Sequence, residues 1–414
     1  MLTSFYSAMT GLNNNGSAIN VIGNNLANIN STAYKSSRAS FAELVASGTE
    51  TASNGNPIQI GLGATSTSVS PLFNQGSIQT TGRATDVAIS GSGFFVVSTG
   101  GAIGYSRAGS FSFSKDGELL NPEGFKVMGY TAQGGVINRN LGLVSITIPK
   151  GSAQPPQATS HISVSANLDA RTATAGVFTS AIQVYDSLGA PHTVGLTFTK
   201  TGNGGWDWEA TVPASDTGGA ANGNPTQIGT GSLTFNSDGI MTAPAANPTL
   251  AIPGLANGAA DLNITLDILD DNGLPRLTNF ASDSGVSSSS QNGYPASLLR
   301  EITFGSDGVI TGVYENGQVQ PLAQVALANF PNPEGLIKFR GSTFVTSAAS
   351  GQPSVGTPAT GGRGTITGGA LEQSNVDIAQ EFTNIIIAQR GYQANSRVIA
   401  VTDELYQDAI NLKR

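Results

Sequence analysis

The first 34 residues of the chain contain no charged side chain, and they constrain the fold more than any other segment. Apolar residues recur in this segment at alternating spacings of three and four, which predicts one amphipathic helix. Asparagine, serine and glycine interrupt the pattern repeatedly and are poor helix formers. A helix of this composition gains little from packing along one stripe, so we expect it to fold fully only among several neighbouring helices. A charge would be costly in that position, whereas side-chain amides can still hydrogen-bond laterally.

A second helical pattern extends from about residue 375 to 412, with Ser374 and Asp377 as a possible capping box at its start. The two patterns together predict a coiled-coil-like pair that forms the core of a homopolymer. An antiparallel pair that caps one globular domain is the alternative. The polymerising positions predicted in the first helix are Leu2, Phe5, Met9, Leu12, Ile19, Ile22, Leu26 and Ile29. Those predicted in the second helix are Ile378, Phe382, Ile385, Arg390, Tyr392, Ile399, Tyr406 and Ile410.

Between the helical ends the sequence has the pattern of β-strands. Apolar and polar residues alternate with period two around 194–198, 206–208 and 262–268, which predicts half-buried strands. Pairs of Asp or Asn with Gly separate such runs and favour hairpin turns. The frame Phe-x-x-Asp-Gly occurs three times, beginning at Phe113, Phe235 and Phe304, and predicts three similar hairpins.

Changes in composition predict a mainly β chain with α-helical termini and two nested β-rich domains, sandwich-like or barrel-like, the outer one inserted in the inner one. The predicted boundaries are an axial helical core at 1–45 and 371–414, extended linkers at 46–80 and 347–370, an inner β-domain at 81–150 and 297–346, and an outer β-domain at 151–296.

Composition also argues against several classes of function. Only 11% of the residues are charged and the net charge is −8, whereas nucleic-acid binding needs clustered Lys and Arg. The absence of cysteine removes thiol catalysis and disulfides. No stretch approaches the roughly 18 consecutive apolar residues of a membrane span. The N-terminus lacks a basic region followed by a compact apolar one, so export is expected without a conventional signal peptide.

No catalytic, cofactor or metal site is predicted. His192 follows Asp186 by six residues, but a lone pair of this kind rarely specifies a triad, and both it and His161 are expected to be solvated strand histidines. The Asp-rich segment 266–273 lacks the ligand spacing of a calcium loop and predicts a hairpin end. The segment "GSGFFV" at 91–96 lacks the third glycine of a dinucleotide loop and predicts a tight turn before a buried strand.

Several segments resemble the rod and hook family of bacterial flagellar axial proteins. "ANINSTAYK" at 27–35 resembles the family's N-terminal signature, and "NVDIAQEFTNIIIAQRGYQANSRVI" at 375–399 resembles its C-terminal helix. Segments 81–97 and 105–130 resemble its inner β-domain. The motif positions carried over are Ala27, Asn28, Asn30, Tyr34 and Lys35.

The signature departs from the family's pattern at two positions. Ser31 replaces a threonine, which is a mild change, and Ala33 replaces a glycine. The second departure argues against a positive φ at residue 33, because alanine is strained there. Lys35, the first charged residue, is expected where the chain first meets water.

Within the family, the additional block 151–296 favours a hook subunit over the runner-up, a distal rod subunit. The resemblance implies a self-assembling, flexible helical tube that acts as a universal joint and passes torque from rod to filament, with no enzymatic activity. It also implies contacts with the distal rod protein, the hook cap, the hook-filament junction protein and the flagellar type III export apparatus, and an extracellular location in the hook and basal body. A secreted adhesin-like β-protein shares the composition but has no need for matched terminal helices.

Overall fold

Helices longer than one or two turns lie, within the described residues, at the two ends of the chain. The computed structural model describes residues 2–45, 61–149, 151, 153–220 and 223–411. Helix α1 spans Leu2–Ala27 and helix α2 spans Ile378–Asn411. At 1.5 Å per residue, α2 is about 51 Å long. Short 3-10 helices lie at Arg139–Leu141, Ala214–Thr217 and Pro333–Gly335.

The start of α2 differs from the predicted capping box. The Asp377 carboxylate accepts hydrogen bonds from the backbone N–H groups of Ala379 (2.8 Å) and Gln380 (3.1 Å), so Asp377 is itself the N-cap. The Ser374 hydroxyl accepts from the N–H of Val376, before the helix. The capping box is therefore wrong: a carboxylate at the N-cap satisfies two free amides and also complements the helix dipole.

The strands are numbered in chain order. The first group is β1 (Ser37–Val45), β2 (Gly61–Pro71), β3 (Ile78–Thr80), β4 (Val87–Ser90), β5 (Phe94–Ser98), β6 (Ile103–Ser106), β7 (Ser112–Phe113), β8 (Leu119–Leu120), β9 (Lys126–Gln133), β10 (Val136–Ile137) and β11 (Val144–Ser145). The second is β12 (Ala153–Gln154), β13 (His161–Asn167), β14 (Val177–Tyr185), β15 (Pro191–Gly202), β16 (Gly205–Val212), β17 (Thr226–Phe235), β18 (Met241–Ala243), β19 (Thr249–Ile252), β20 (Leu262–Asp267), β21 (Leu277–Thr278) and β22 (Gly285–Gln291). The third is β23 (Ser297–Phe304), β24 (Val309–Tyr314), β25 (Val319–Val325), β26 (Leu327–Asn329), β27 (Ile337–Arg340), β28 (Thr343–Val345), β29 (Ser354–Gly356), β30 (Thr365–Gly368) and β31 (Ala370–Glu372).

The chain divides into two compact units. The inner unit comprises residues 1–150, 301–313 and 319–414, and the outer unit comprises 151–300 and 314–318. The prediction of a mainly β chain with helical termini is confirmed. The barrel-like alternative is not found, because no sheet of the described residues closes on itself. The finer division into axial core, linkers and two β-domains stays a prediction.

In the inner unit, a sheet path runs in the order β24-β25-β9-β5-β6-β28-β27. Aromatic rings pack edge to face on this sheet, since Phe94 lies near Phe73, Phe330 and Phe344 at centroid distances of 5.3 to 6.2 Å. Gly91 and Gly93, with φ of 101° and 129°, form the turn before the buried strand β5. The predicted tight turn at 91–96 therefore leads into the core of this unit.

The segments predicted as linkers contain paired strands in their described parts. β2 pairs antiparallel with β1 over residues 61–71, and β3 pairs with β31 near the start of α2. β30 pairs with β4 at the edge of the inner unit's core. Residues 46–60 lie outside the described residues. The described linker chain is thus held by backbone hydrogen bonds to the helix-bearing segments and to the inner sheet.

The outer unit contains two main sheets. One has the order β14-β15-β16-β17-β18, and the other has the order β19-β20-β13-β21 with β22 also paired to β13. Their inward side chains share one core that includes Trp206, Trp208, Phe198 and Ile264. The period-two alternation predicted these strands because one face of each is buried.

The three Phe-x-x-Asp-Gly frames form the same turn, as predicted. In each, the N–H of the glycine donates to the carbonyl three residues before it, at 2.9 to 3.1 Å. The residue that supplies this carbonyl also donates to the carbonyl that follows the glycine. Gly117, Gly239 and Gly308 have φ of 75 to 79°, which only glycine adopts without strain.

Candidate functional site

The two terminal helices pack antiparallel, and polar groups lie in the contact between them. Asn25 of α1 donates its amide to Oε1 of Glu381 in α2 at 2.9 Å, and both residues are buried. Gly11 faces Asn395, and Asn15 faces Gly391. Small and amide-bearing residues therefore form much of the seam in which the sequence predicted an apolar stripe.

The predicted polymerising positions of α1 are mostly half-buried. Ile22 is buried and Met9 is 39% exposed. The side chains of intermediate exposure are Phe5, Leu12, Ile19, Leu26 and Ile29, the last of which lies just after the helix. Leu2 is in the helix, but its side chain lies outside the described residues. The prediction of one apolar stripe gives the helix correctly, but it does not identify the amides that contact α2.

The predicted positions of α2 divide into two groups. Ile385, Ile399 and Tyr406 are half-buried. The exposed members are Ile378 (51%), Phe382 (50%), Tyr392 (40%), Ile410 (69%) and Arg390. Further exposed apolar side chains, which the heptad pattern missed, are Ile386 (55%), Ile387 (65%), Val398 (44%), Val401 (54%) and Leu405 (49%). Much of the apolar surface of α2 is thus not covered by the chain itself.

Asn25 connects the helix pair to the segment that follows α1. Besides its bond to Glu381, its amide donates to the carbonyl of Ser37 at 2.9 Å. Its side-chain oxygen accepts from the N–H of Ser37 (2.9 Å) and the hydroxyl of Tyr34 (3.3 Å). Burial, together with the Glu381 charge, raises the pKa of Tyr34. The apolar periodicity of α1 did not identify Asn25, although an amide within an apolar pattern was the signal for such a role.

Ala33 has a left-handed backbone, with φ of 56°. It is 1% exposed, and its N–H donates to the carbonyl of Glu372 at 2.8 Å. The expectation that alanine would avoid a positive φ here was wrong. The hydrogen bond to Glu372 and the buried position of Tyr34 hold the turn in spite of the strain. A left-handed alanine costs about 1 kcal/mol.

Lys35 is buried, which contradicts its expected position at the border with water. Its ammonium lies 2.6 Å from Oε1 of Glu372 and donates to the carbonyl of Asn74 at 2.8 Å. Arg107 lies 3.3 Å from Oε2 of the same carboxylate and 5.5 Å from the ring centre of Phe94. Burial lowers the pKa of both Lys35 and Arg107, and Glu372 opposes that effect. The lysine is inside because a carboxylate from the returning chain neutralises it.

The remaining signature residues have local roles. Ala27 is the last residue of α1, and the amide of Asn28 donates to the carbonyl of Asn24 at 2.9 Å. This bond competes with continuation of the helix. Asn30 is exposed. Asn375, outside the signature, joins the two ends of the chain: it accepts from the N–H of Ser36 (2.8 Å) and donates to the carbonyl of Leu72 (2.8 Å).

His192 in the outer unit is buried between two carboxylates, so its expected solvation was wrong. Its Nε2 lies 3.1 Å from Oδ2 of Asp186, and its Nδ1 lies 2.9 Å from Oδ2 of Asp216. Burial opposes its charge, but the hydrogen bonds to Asp216 and Asp186 raise its pKa. The hydroxyl of Ser215 faces Asp216 and not the imidazole, so these residues do not form a nucleophilic triad.

The Asp-rich segment forms the predicted hairpin end. Oδ1 of Asp270 accepts from the N–H groups of Asn272 (2.9 Å) and Leu274 (2.7 Å). Asp267 lies 3.2 Å from Nδ1 of the exposed His161. Among the described residues, no group of three acidic or histidine side chains is arranged to hold a metal ion. None of the described helices is long and apolar enough to cross a membrane.

Four family models match consecutive parts of the chain. A model described as flagella basal body rod protein matches residues 5–35, and one described as flagellar hook protein FlgE/F/G D1 domain matches 88–167. The flagellar basal body protein FlaE D2 domain matches 157–294. The flagellar basal body rod FlgEFG protein C-terminal model matches 367–412. The family models therefore match both terminal helices and the block that was predicted as the outer domain.

Two curated relatives that match over their full length are flagellar hook proteins. The flagellar hook protein FlgE of Treponema pallidum is 34% identical over 100% of both chains. That of Escherichia coli is 33% identical over 99% of this chain and 100% of its own. Among solved structures, the Helicobacter pylori flagellar hook protein FlgE2 shares the fold with a TM-score of 0.54 at 16% identity, over 71% of this chain and 100% of its own.

Proposed function

The chain belongs to the family of flagellar hook proteins, and from that premise we propose how its subunits build the hook. It is a structural subunit located in the flagellar hook. In the proposal, α1 and α2 of successive copies pack around one another and form the inner wall of a helical tube. The outer unit contributes contacts between neighbouring copies.

The observation that carries the proposal is the exposed apolar surface of α2. Phe382, Ile386, Ile387 and Val401 are each at least half exposed, although α1 packs on the same helix. Large exposed apolar surfaces mark sites of protein association. Because α1 contacts α2 through glycine and amide groups, the apolar side chains stay available for other copies. An open tube needs such contacts between unlike surfaces of successive copies.

The tube is proposed to act as a universal joint that carries torque from rod to filament. Residues 1–45 and 371–414 would form its axial core, 46–80 and 347–370 its linkers, and 81–150 with 297–346 the inner β-domain. Residues 151–296 would form the outer β-domain, whose serine-rich surface, as in β22, supports shallow polar contacts that slide on bending. Paired linker strands would keep the layers attached as they tilt.

The proposed partners follow from the same role. Besides its own copies, the subunit would contact the distal rod protein, the hook cap and the hook-filament junction protein. It would leave the cell through the flagellar type III export apparatus. The composition of α1 supports this route, since its many glycine, serine and asparagine residues are poor helix formers.

Deletion of residues 1–35 tests the proposal. The shortened protein should keep its outer unit folded but should form no tubes in electron micrographs at concentrations where the full chain does. The fluorescence of Trp206 and Trp208 reports the outer unit, which contains both tryptophans of the chain. Normal tubes from the shortened protein would exclude α1 from the inner wall.

A further inference from the structure

Two glycines and two asparagines interlock reciprocally between α1 and α2. A Cβ atom on Gly11 would lie 2.7 Å from Nδ2 of Asn395, and a Cβ atom on Gly391 would lie 2.8 Å from Oδ1 of Asn15. Real Cβ atoms do not approach other atoms so closely. A side chain at either glycine would therefore displace the asparagine side chain of the other helix from its present position.

Each asparagine is held in place by its own helix. The amide of Asn15 donates to the carbonyl of Gly11 at 2.8 Å, and the amide of Asn395 donates to the carbonyl of Gly391 at 3.0 Å. Both helices therefore present the same Gly-x-x-x-Asn motif. In antiparallel packing, the glycine of one motif faces the asparagine of the other.

The motif fixes one register. Asn15 follows Gly11 by four positions, and Asn395 follows Gly391 by four positions on a helix that runs in the opposite direction. The bond between Asn25 and Glu381 keeps this register ten residues further along both helices. A slip of four residues, about 6 Å, would place either the two glycines or the two asparagines opposite each other. The first arrangement leaves a void and the second an overlap, and both are unfavourable.

We propose that Gly11, Asn15, Gly391 and Asn395 form a register lock. The lock determines how the terminal helices align, and so which side chains of α2 face neighbouring copies. Its second role rests on the proposed assembly function. Apolar contacts are not directional, and α2 exposes apolar side chains in several directions, so apolar packing alone would allow other alignments. A buried amide at one position is known to set register in coiled coils.

Other glycines of α1 provide matched controls. A Cβ atom on Gly23 would have no atom within 4 Å, and one on Gly16 would lie 4.0 Å from Tyr392. Gly16 also begins a Gly-x-x-x-Asn sequence, but its Asn20 is exposed. Sequence alone does not distinguish these positions from Gly11; their orientation in the helix pair does.

Engineered disulfides in the full-length, cysteine-free chain test the register. The Cβ position of Gly11 lies 3.0 Å from Cγ of Asn395, which brings the two Cβ atoms within disulfide range. Gly11→Cys with Asn395→Cys, and Asn15→Cys with Gly391→Cys, should each crosslink within one chain. Ala18→Cys with Asn384→Cys leaves all four residues of the lock in place, reports a slip of four residues and should crosslink at least tenfold more slowly. Equal or faster crosslinking of the slip pair would overturn the lock.

Alanine variants test the consequence for assembly. Gly11→Ala should raise the concentration needed for tube formation at least tenfold, whereas Gly23→Ala should leave it within twofold. Adding Asn395→Ala to Gly11→Ala removes the overlap and should restore most of the loss. A similar loss from Gly23→Ala, or no recovery in the double variant, would refute the lock.

The two proposals can fail separately. Crosslinking is measured on unassembled protein and on tubes, and tube formation is measured by electron microscopy. Tubes without crosslinking of the matched pairs would reject the lock and leave the hook role standing. Matched crosslinks in a protein that never forms tubes would support the alignment of the helices and reject the assembly role.

Discussion

Glu372 neutralises Lys35 across 337 positions of the chain: their side-chain atoms lie 2.6 Å apart and neither side chain is accessible to solvent. Arg107 contacts the other oxygen of the same carboxylate. Oε1 also accepts from the N–H of Gly76 at 2.9 Å. One carboxylate thus joins the segment after α1, the inner sheet and the segment before α2.

Glu372→Gln should destabilise the inner unit by about 3–5 kcal/mol, because it leaves two buried cations without their counterion. Hydrogen exchange at β4 and β5, next to this carboxylate, measures the loss. Glu118→Gln is the control, since Glu118 pairs with Lys126 in a partly exposed position and should contribute only about 0–1 kcal/mol. If the two variants lose the same stability, the buried charge cluster contributes no more than the partly exposed ion pair.

Ala33→Gly should stabilise the inner unit by about 1 kcal/mol, since glycine adopts the left-handed backbone without strain. The same change at Ala400, an exposed residue inside α2, should destabilise by a similar amount because glycine is a poor helix former. Denaturant unfolding followed by far-UV circular dichroism measures both. Destabilisation by Ala33→Gly would show that the alanine methyl group contributes more than the strain costs.

The outer unit should lose stability as the pH rises above about 6.5. The folded pKa of His192 is raised above the unfolded value of about 6.5. Its contribution is therefore complete below about pH 6.5 and is lost as the pH rises through the folded pKa. Thermal unfolding followed by tryptophan fluorescence should show this slope in the wild type. His192→Gln should remove it, whereas the exposed His161→Gln should not.

The same cluster sets an acid limit. Burial opposes ionisation of Asp186, but hydrogen bonds from Asn257, His192 and two backbone amides lower its pKa below the ordinary value of about 3.9. Its contribution is complete above that value and is lost as the pH falls through the folded pKa. Asp186→Asn should therefore flatten the acid side of the stability profile of the outer unit. If Asp186→Asn leaves the acid side of the profile unchanged, the loss of stability at low pH comes from other carboxylates.

Ile386→Ser and Ile387→Ser should each weaken tube formation without unfolding the monomer. Each exposed isoleucine that becomes buried between copies contributes about 1.5–3 kcal/mol, which is at least tenfold in the critical concentration per residue. Sedimentation of tubes measures this concentration. Gln389→Ser, an exposed polar position on the same helix, should change it little. If the critical concentration is unchanged in the isoleucine variants, this surface of α2 does not contact neighbouring copies in the tube.

Local patterns predicted the elements well. Spacings of three and four identified both helices, and the Phe-x-x-Asp-Gly frames identified three hairpins, because backbone conformation there depends on neighbouring residues. The predictions failed where a distant residue decides the outcome. Lys35 is buried because of Glu372, and His192 is buried because of Asp186 and Asp216. Position 377, not 374, caps α2, because a carboxylate satisfies two amides where the chain turns.

The candidate site was predicted only in part. Periodicity identified the exposed apolar residues Phe382, Tyr392 and Ile410. Their assignment to contacts within the polymer stays a prediction. The amides Asn15, Asn25 and Asn395 were missed as specific contacts, because a pattern of apolar residues does not indicate which polar groups face the partner helix. Ala33 was misjudged because the cost of its φ is local, whereas the hydrogen bond that maintains it comes from residue 372.

The antiparallel helix pair has a consequence for the order of folding. The residues that hold α1 and its exit all lie more than 330 positions after the residues of α1 and the exit that they contact: Glu372, Asn375, Glu381, Gly391 and Asn395. Contacts this distant in sequence form slowly, because a long loop must close first. α1 therefore finds these contacts only after segment 372–395 has been made, whereas the outer unit, whose core lies within residues 162–277, can fold before that segment is made.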